Sequence, residues 1–370
     1  MLELITVRNF KVLKDTELIL SNLTVVAGIN NMGKSSLIQI LLLIRQSFEQ
    51  NTLTKDGLLL NGRLVSIGNG RDALSADAEN EVFSVSLHWE NNEQLHLEFA
   101  CKKKSNLQPL KRIDPEQINP ANILFAPRFQ YLAAQRTDSR DIFPVSDYDI
   151  STLHSLGNNG EYTAHFIAEH GSEPLENTAL QHEKAKEETL LANIDAWMSE
   201  ISSGVKVTAN IIPEVNQASL LYKFSTPCGH TENFRPVNVG FGLTHILPVV
   251  TAVLASKPGD LVIIENPEAH LHPAGQSAIA TLICLAAQSG VQIIIETHSD
   301  HFLNSIRVKV RQRSISPENL SLSYFSRDAD SREHAIEVTQ PFIDADGRLD
   351  EWPRGFLDEW DNNLKKLVDF

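Results

Sequence analysis

The residues best suited to chemistry stand near the start of the chain, in the segment GINNMGKS at positions 28–35. In this spacing, glycines let backbone amides turn toward phosphate oxygens, the lysine adds a positive charge, and the serine hydroxyl can ligate Mg²⁺. A hydrophobic run, LTVVAG, leads into the segment, and an apolar helical pattern follows it. We therefore predict a phosphate-binding loop between a strand and a helix. The residues predicted to bind a nucleotide there are Gly28, Asn30, Asn31, Gly33, Lys34, Ser35 and Ser36, and Ser35 is also a predicted metal ligand.

Acidic residues follow a second hydrophobic run, in LVIIENPEAHLHP at positions 261–273. A strand that ends in a carboxylate is the other half of a phosphate-loop site, because that carboxylate holds Mg²⁺. Glu265 has this position and is predicted as a metal ligand. Asn266 comes next, where a carboxylate that polarises water usually stands, and Glu268 follows two residues later. We interpret His270 and His272 as parts of a structured turn rather than as metal ligands.

Two further segments carry residues that could touch a nucleotide. VQIIIETHSD, at positions 291–300, places His298 after a buried strand, where an imidazole can hydrogen-bond a terminal phosphate. The one intervening helix predicts that this strand lies beside the strand of Glu265. NVGFGLTH, at positions 238–245, places Gly240 and Gly242 before a helix, whose first amides and positive dipole end attract anions.

The alternation of elements predicts an α/β protein. Alternating residues between about 63 and 100 indicate an antiparallel sheet, residues 151–202 are polar and helical, and VKVTANII with SLLYKFST indicates a hairpin. The last third alternates helices with buried strands, as a parallel sheet requires. We predict four parts: an N-terminal lobe over 1–150, a helical insertion and hairpin over 151–235, a C-terminal lobe over 236–340, and a tail module over 341–370.

The composition of the chain indicates which class of protein to expect. Hydrophobic residues make up 42% of the 370 residues, which is ordinary for a globular chain, and no run is long enough to span a bilayer. The N-terminus lacks the apolar core of an export signal, and the three cysteines show no paired spacing, so we expect a cytoplasmic protein. The net charge of −15 disfavours DNA binding over the whole surface. We interpret the basic clusters at 102–112 and 307–313 as solvated faces.

Together these segments, in this order, resemble the ABC-type ATPases of the SMC, RecF and OLD branch. The resemblance identifies residues 28–35 as Walker A, 238–244 as the signature, 261–265 as Walker B, 268–273 as the D-loop and His298 as the switch histidine. It implies the head fold of that branch: a mixed central sheet, an antiparallel β subdomain and a helical insertion. It also implies ATP and Mg²⁺ as cofactors. The segment FQYLAAQRTDSR predicts the Q-loop, with Gln135, or Arg136 beside it, as its functional residue.

The resemblance further implies an ATPase that pairs two copies, with Asn238, Gly240 and Gly242 of each copy capping the nucleotide of the other. Glu265, Asn266, Glu268 and His298 are the predicted catalytic residues. Asn266 replaces the common glutamate, so hydrolysis is expected to be slow or to use Glu268, because an amide cannot take a proton from water. OLD-like members without a nuclease domain belong to bacterial defence systems, which implies a separate effector such as a nuclease, and DNA or RNA as a possible further partner.

Alternative functions are an ATP-dependent nuclease of the OLD type, a DNA-repair ATPase of the RecF type and the ATPase subunit of a transporter. A nuclease needs a second acidic metal cluster, and none is evident outside the Walker site. Asp344 and Asp346 are interpreted as a surface turn. The absence of an LSGGQ segment, together with the HLHP and THS motifs, counts against a transporter, and no membrane partner is expected. The tail, IDADGRLDEWPRGFLDEW, resembles a short C-terminal module found on some bacterial ATPases of this group.

Overall fold

A computed structural model describes residues 1–29, 31–327 and 336–352, and the elements below are those of the described chain. The strands are β1 (Leu2–Phe10), β2 (Leu13–Ile19), β3 (Leu23–Gly28), β4 (Leu58–Leu59), β5 (Val82–Trp89), β6 (Gln94–Ala100), β7 (Leu107–Gln108), β8 (Leu110–Asp114), β9 (Phe129–Leu132), β10 (Ile142–Pro144), β11 (Val205–Ile212), β12 (Gln217–Thr226), β13 (Gly229–His230), β14 (Leu261–Glu265), β15 (Gln292–Glu296), β16 (Leu320–Ser326) and β17 (Glu337–Thr339). The helices are α1 (Lys34–Glu49), α2 (Gly70–Ala73), α3 (Thr163–His170), α4 (Leu190–Ile201), α5 (Phe241–Leu254), α6 (Pro273–Gln288) and α7 (Asp300–Arg311).

The chain forms two compact units, one made of Met1–Pro120 with Leu320–Phe370 and the other of Ala121–Asn319. The division into four parts that we derived from the sequence stays a prediction. Among the described helices, none combines the length and the apolar character that a bilayer crossing requires.

The first unit contains a five-stranded antiparallel sheet in the order β2-β1-β5-β6-β8. Strand β5 alternates buried and half-buried residues along its whole length, as the period of two predicts. Phe83 and Phe99 pack ring against ring inside this sheet, with centroids 5.4 Å apart. The antiparallel β subdomain predicted from the alternation is therefore present.

A second group of strands in this unit carries the phosphate-loop segment. Strand β3 runs parallel to β16, and β17 pairs antiparallel with β16. Strand β3 is almost entirely buried, and the helix α1 that follows it is buried over most of its length. Its leucine and isoleucine side chains cover nearly the whole circumference, which is typical of a core helix.

The second unit is built on a parallel sheet in the order β9-β14-β15. Apart from Gln292 and the terminal residues Glu265 and Glu296, strands β14 and β15 consist of buried valine, isoleucine and leucine residues, as parallel strands covered by helices on both faces require. Glu265 pairs in register with Glu296, so the two strands end together. The prediction that the strands of Glu265 and His298 are neighbours is confirmed.

The hairpin and the helical insertion also lie in the second unit. Strands β11 and β12 form the predicted antiparallel hairpin, and β10 extends it on the other side of β12. Helix α4 begins at its cap Thr189, whose hydroxyl accepts a hydrogen bond from the amide of Ala192. The helix buries its apolar face, which includes Ile194 and Trp197, against α5, α6 and β11.

The basic residues at 102–112 and the pair Asp344 and Asp346 agree with their interpretation as surface features. Lys103, Lys111 and Arg112 form exposed ion pairs with Glu81, Glu98 and Asp114, respectively. Asp344 closes a turn, because its Oδ1 accepts hydrogen bonds from the amides of Asp346 and Arg348 at 2.9 and 2.8 Å. The aromatic residues of the tail at 356 and 360 lie outside the described residues.

Candidate functional site

The phosphate-loop segment connects β3 to α1 through two glycines with positive φ. Gly28 has a φ of 139°, and a Cβ at this position would collide with the backbone of Phe325 in β16. Gly33 has a φ of 91° and caps α1 in the left-handed conformation. Side chains are disfavoured at both positions, so the loop requires the glycines that the motif places there.

The polar side chains of this loop are held close to its backbone. Lys34 is 3% exposed, and its Nζ donates hydrogen bonds to the carbonyls of Gly28 and Ile29 at 3.0 and 2.7 Å. Ser35 is exposed in the first turn of α1, whereas Ser36 is buried and its amide donates to the Gly33 carbonyl. Asn31 is exposed with a φ of 65°. Asn30, also predicted to bind nucleotide, lies outside the described residues.

In the second unit, the carboxylate of Glu265 is held by two donors at the end of β14. The Tyr131 hydroxyl donates to Oε1 at 2.9 Å, and the Ala134 amide donates to Oε2 at 3.0 Å. Burial, followed by the negative charge of Glu265, raises the pKa of the Tyr131 phenol, so the hydroxyl remains a donor. Each carboxylate oxygen retains a lone pair, because an ionised carboxylate can accept about four hydrogen bonds.

The next residue, Asn266, is fixed through its backbone. It has a φ of 45°, its amide donates to the Glu296 carbonyl at 2.8 Å, and its carbonyl accepts from Arg136 at 3.2 and 3.3 Å. Arg136 is 3% exposed and also donates to the Glu265 carbonyl. Burial lowers the pKa of Arg136 to about 10, against the opposing effects of Glu268 and Glu265. Arg136 therefore stays cationic at neutral pH.

Glu268 joins the loop after β14 to the loop after β15. It is 8% exposed, and its Oε1 accepts a hydrogen bond from the backbone amide of His298 at 3.1 Å. The His298 ring is partly exposed, with its Nε2 3.8 Å from the Glu296 carboxylate. Ser299 caps α7 and donates to the Gln276 side chain at 2.6 Å. The two loops and helix α6 thus form one polar network.

The signature segment leads into α5. Asn238 and Gly240 are exposed, and the space around the Gly240 α-carbon is open. A Cβ on Gly242, by contrast, would lie 2.6 Å from the His270 carbonyl oxygen. The rings of Phe241, His245 and His270 pack together, with centroids 4.8 to 5.4 Å apart. Gly242 is therefore required for close packing within the same chain, while Gly240 is accessible from outside.

The second unit brings four predicted catalytic residues to one edge of its parallel sheet: Glu265, Asn266, Glu268 and His298. The segment 129–140 contributes Arg136 to this edge and not Gln135, which is exposed and makes no hydrogen bond within the described chain. Tyr131 also lies at this edge and is not among the site residues predicted from the sequence. Its signal was a hydroxyl-bearing aromatic residue near the end of the buried strand FQYL.

Within the second unit, the Glu265 carboxylate fits the metal that the sequence predicts, because Mg²⁺ is a hard cation that is usually held by one or two carboxylates plus substrate phosphates. In the first unit, the Ser35 hydroxyl is likewise a hard oxygen ligand. Within the described ranges, no group of three or more His, Cys, Asp or Glu residues is placed to hold a metal ion. His272 instead caps α6, because its Nδ1 accepts a hydrogen bond from the Ala274 amide.

Comparison with solved structures shows a similarity to SMC heads. A crystal structure of an SMC head bound to the C-winged helix domain of ScpA aligns with a TM-score of 0.52 and 15% identity, over 92% of this chain and 98% of that one. An SMC head from Pyrococcus furiosus aligns with a TM-score of 0.47 and 13% identity, over 99% of both chains. One from Thermotoga maritima aligns with 0.44 and 9%, over 91% and 98%. The first of these similarities confirms the predicted fold class.

Family models match most of the chain. The model described as "AAA ATPase domain" matches residues 1–196, and the model described as "AAA domain, putative AbiEii toxin, Type IV TA system" matches residues 114–304. A model described as "Protein of unknown function (DUF3696)" matches residues 315–367, which include most of the predicted tail module at 341–370. A search among curated proteins found no match to the chain. Because each AAA model covers more than half of the 370 residues, the chain belongs to the AAA ATPase domain family, with the fold of an SMC-type head.

Proposed function

We propose that this protein is an ATP-gated switch: ATP joins two copies, slow hydrolysis releases them, and a separate effector such as a nuclease responds. We place it in the cytoplasm, in a nucleic-acid-directed complex for antiviral defence. The observation that carries the proposal is the phosphate loop, in which a left-handed Gly33 starts α1 and puts Lys34 at its first position. This arrangement aims amides, a cation and the positive end of a helix dipole at one anion.

In the proposed cycle, Lys34 exchanges its two carbonyl acceptors for phosphate oxygens. The exchange is favourable because it replaces neutral carbonyls by anionic oxygens, so that attraction between opposite charges adds to the hydrogen bonds of the lysine. The lysine is already directed into its own loop, so little rearrangement is needed. Asn30, Asn31, Ser35 and Ser36 would provide the remaining contacts of the loop.

At the other motif, Glu265 is the proposed metal ligand. Gln135 is a second proposed metal ligand, and because it is exposed on the loop after β9, it would have to turn toward the carboxyl edge to reach an ion there. Mg²⁺, when bound with ATP, neutralises charge on the phosphates. Asn266 can orient a water molecule but cannot take its proton, which supports slow turnover. Glu268 holds the backbone of His298, so it would fix the switch histidine against the loop of Asn266.

Pairing of two copies is supported by the exposure of the signature segment. Asn238 and Gly240 are open to an approaching group, and Gly240 caps a helix of 14 residues. The first amides of such a helix attract a phosphate. We propose that Asn238, Gly240 and Gly242 of one copy face the terminal phosphate bound to the other.

The setting in defence rests on relatives. One matching family model names the AbiEii toxin of a type IV toxin–antitoxin system, and one similar head is bound to a winged-helix domain of ScpA. These descriptions support a role in which the ATPase head works beside a different protein.

The test of ATP chemistry is Lys34→Ala, with Lys55→Ala, an exposed lysine of the same unit, as the matched control. We expect Lys34→Ala to lose most ATP binding, measured by fluorescence anisotropy, and most phosphate release. Its unfolding midpoint should stay close to that of the wild type. ATP binding and hydrolysis equal to those of Lys55→Ala would contradict the assignment.

The test of pairing uses Gly240→Asp, because its side chain enters open space, whereas any side chain at Gly242 strains the fold. Light scattering with a slowly hydrolysed ATP analogue should show a dimer or larger assembly for the wild type and a monomer for Gly240→Asp. Val215→Asp adds the same charge at an exposed position of the β11–β12 turn and should still pair. If the mass measured by light scattering were the same with and without the ATP analogue in all three proteins, the proposed pairing would be refuted.

A further inference from the structure

Strand β14 is held at each end by an arginine that precedes it by more than a hundred residues, half-buried Arg128 at one end and buried Arg136 at the other. At its amino end, Arg128 donates to the Asp260 carboxylate at 3.1 Å and to the Ala255 carbonyl at 2.9 Å. At its carboxyl end, Arg136 donates to the carbonyls of Glu265 and Asn266. Both arginines flank β9, the partner of β14, so the two contacts are a natural internal comparison.

The partners of the two arginines differ in kind. Arg128 neutralises carboxylates, since Glu176 also accepts from it at 2.8 Å. Arg136 bonds to backbone carbonyls, while the carboxylates near it, Glu265 and Glu268, receive their hydrogen bonds from other donors. The guanidinium group is planar, and its N–H donors have fixed directions. Because it donates to the carbonyls of both Glu265 and Asn266, it sets the orientation of the backbone at these two residues.

The peptide between Glu265 and Asn266 determines where two functional side chains point. Glu265 lies on one side of it and Asn266, with a left-handed backbone, on the other. Tyr131 then holds the Glu265 carboxylate by donating to its Oε1, while the Ala134 amide donates to its Oε2. The side-chain Oδ1 of Asn266 and the Oε2 of Glu268 are buried and accept no hydrogen bond from the described chain. Buried acceptors of this kind occur where a group from outside the chain completes the site.

We infer that Arg136 and Tyr131 are positioning residues for ATP hydrolysis, which hold Glu265 and Asn266 in the arrangement that the reaction needs. This inference rests on the proposed ATPase function. The two residues are not expected to bind ATP. They should therefore affect the catalytic step while leaving nucleotide affinity almost unchanged.

The test compares Arg136→Lys with Arg128→Lys in the full-length chain. Arg136→Lys keeps the charge but loses the planar guanidinium group, so kcat should fall about 10- to 100-fold, as for partners that orient a ligating carboxylate. The KM for ATP, and the Kd for ATP measured without Mg²⁺, should stay within about threefold of the wild type, because phosphate-loop contacts are intact. Arg128→Lys should lower the unfolding midpoint and leave kcat of the folded protein unchanged.

Tyr131→Phe is the second variant, in case Arg136→Lys does not fold. It removes one hydrogen bond to a charged acceptor and should lower kcat about tenfold with the Kd for ATP unchanged. An unchanged kcat in both folded variants would overturn the inference, and so would a loss of ATP binding in proportion to activity. If only Tyr131→Phe folds, an unchanged kcat in this variant, or a loss of ATP binding in proportion to activity, would by itself overturn the inference. A wild-type protein that hydrolyses no ATP would instead refute the proposed function, and with it the reaction that these residues are inferred to serve.

Discussion

The two ends of the parallel sheet in the second unit are built for different purposes. At the amino end of β14, Asp260 accepts hydrogen bonds from Arg128 and from the Lys257 amide, and Lys257 and Arg128 share Glu176. Each of these four charged side chains has a partner of opposite charge. At the carboxyl end, buried polar atoms of Arg136, Asn266 and Glu268 have no partner within the described chain.

The difference shows how one sheet separates stability from chemistry. Buried polar groups that are fully paired make a rigid end, whereas unpaired ones cost free energy unless something else completes them. In open α/β sheets, ligands bind beyond the carboxyl ends of the strands. These observations support the proposal that the incomplete end of β14 is the functional edge and that the paired end keeps the strands in register.

The largest expected effect is on the functional edge. Glu265→Gln removes the negative charge. It also replaces one carboxylate oxygen by an NH₂ group, which cannot accept a hydrogen bond, so either Tyr131 or Ala134 loses its acceptor. We expect kcat for ATP to fall about 100-fold, the usual result of removing one electrostatic contact in an active site. The free energy of unfolding should change by about 1 kcal/mol or less, because the residue is only half-buried. A stable Glu265→Gln variant with normal ATP turnover would contradict the proposed difference between the two ends of β14.

The next effect belongs to the paired end. Asp260→Ala leaves Arg128 without one of its two carboxylate partners and should lower the free energy of unfolding by about 2–3 kcal/mol, the typical contribution of hydrogen bonds to charged groups. Urea titration gives the change in stability, and phosphate release by the folded protein should equal that of the wild type. If Asp260→Ala lost turnover without losing stability, the two ends would not differ in purpose.

The smallest effect concerns pH. Burial, followed by the charges of Arg136 and His270, lowers the pKa of His245 to about 3, below its usual value near 6.5. The folded protein prefers the neutral ring, so the stability that depends on it is complete above pH 6.5. It is lost as the pH falls below 6.5 toward 3, by up to about 1.4 kcal/mol per pH unit.

His245→Phe keeps an aromatic ring beside Phe241 and removes the titrating group. Urea unfolding at pH 7.5 and at pH 5.5 should show a smaller loss of stability in this variant than in the wild type. His301→Gln, which removes an exposed histidine on α7, is the matched control. Equal pH dependence in His245→Phe and the wild type would show that the His245 ring does not resist protonation in the folded state.

Much of the structure of this protein could be predicted from its sequence alone. Gly33 and Lys34 stand in a short pattern whose backbone conformation depends on local sterics, and so the strand, loop and helix around them could be predicted without knowledge of the fold. The alternation of residues 82–100 likewise determined an antiparallel sheet. The runs before Glu265 and His298 determined buried parallel strands that are neighbours, because a single crossover helix leaves few other arrangements.

Only the tertiary structure decided which side chains support those motifs. Gln135 and Arg136 are adjacent in sequence, yet one is exposed and the other is buried against the backbone of Glu265, about 130 residues away along the chain. Tyr131 acquires its partner in the same way. The hydrophobic pattern of the sequence does not predict such contacts, because they depend on the register between β9 and β14. That register is set by the packing of the whole unit.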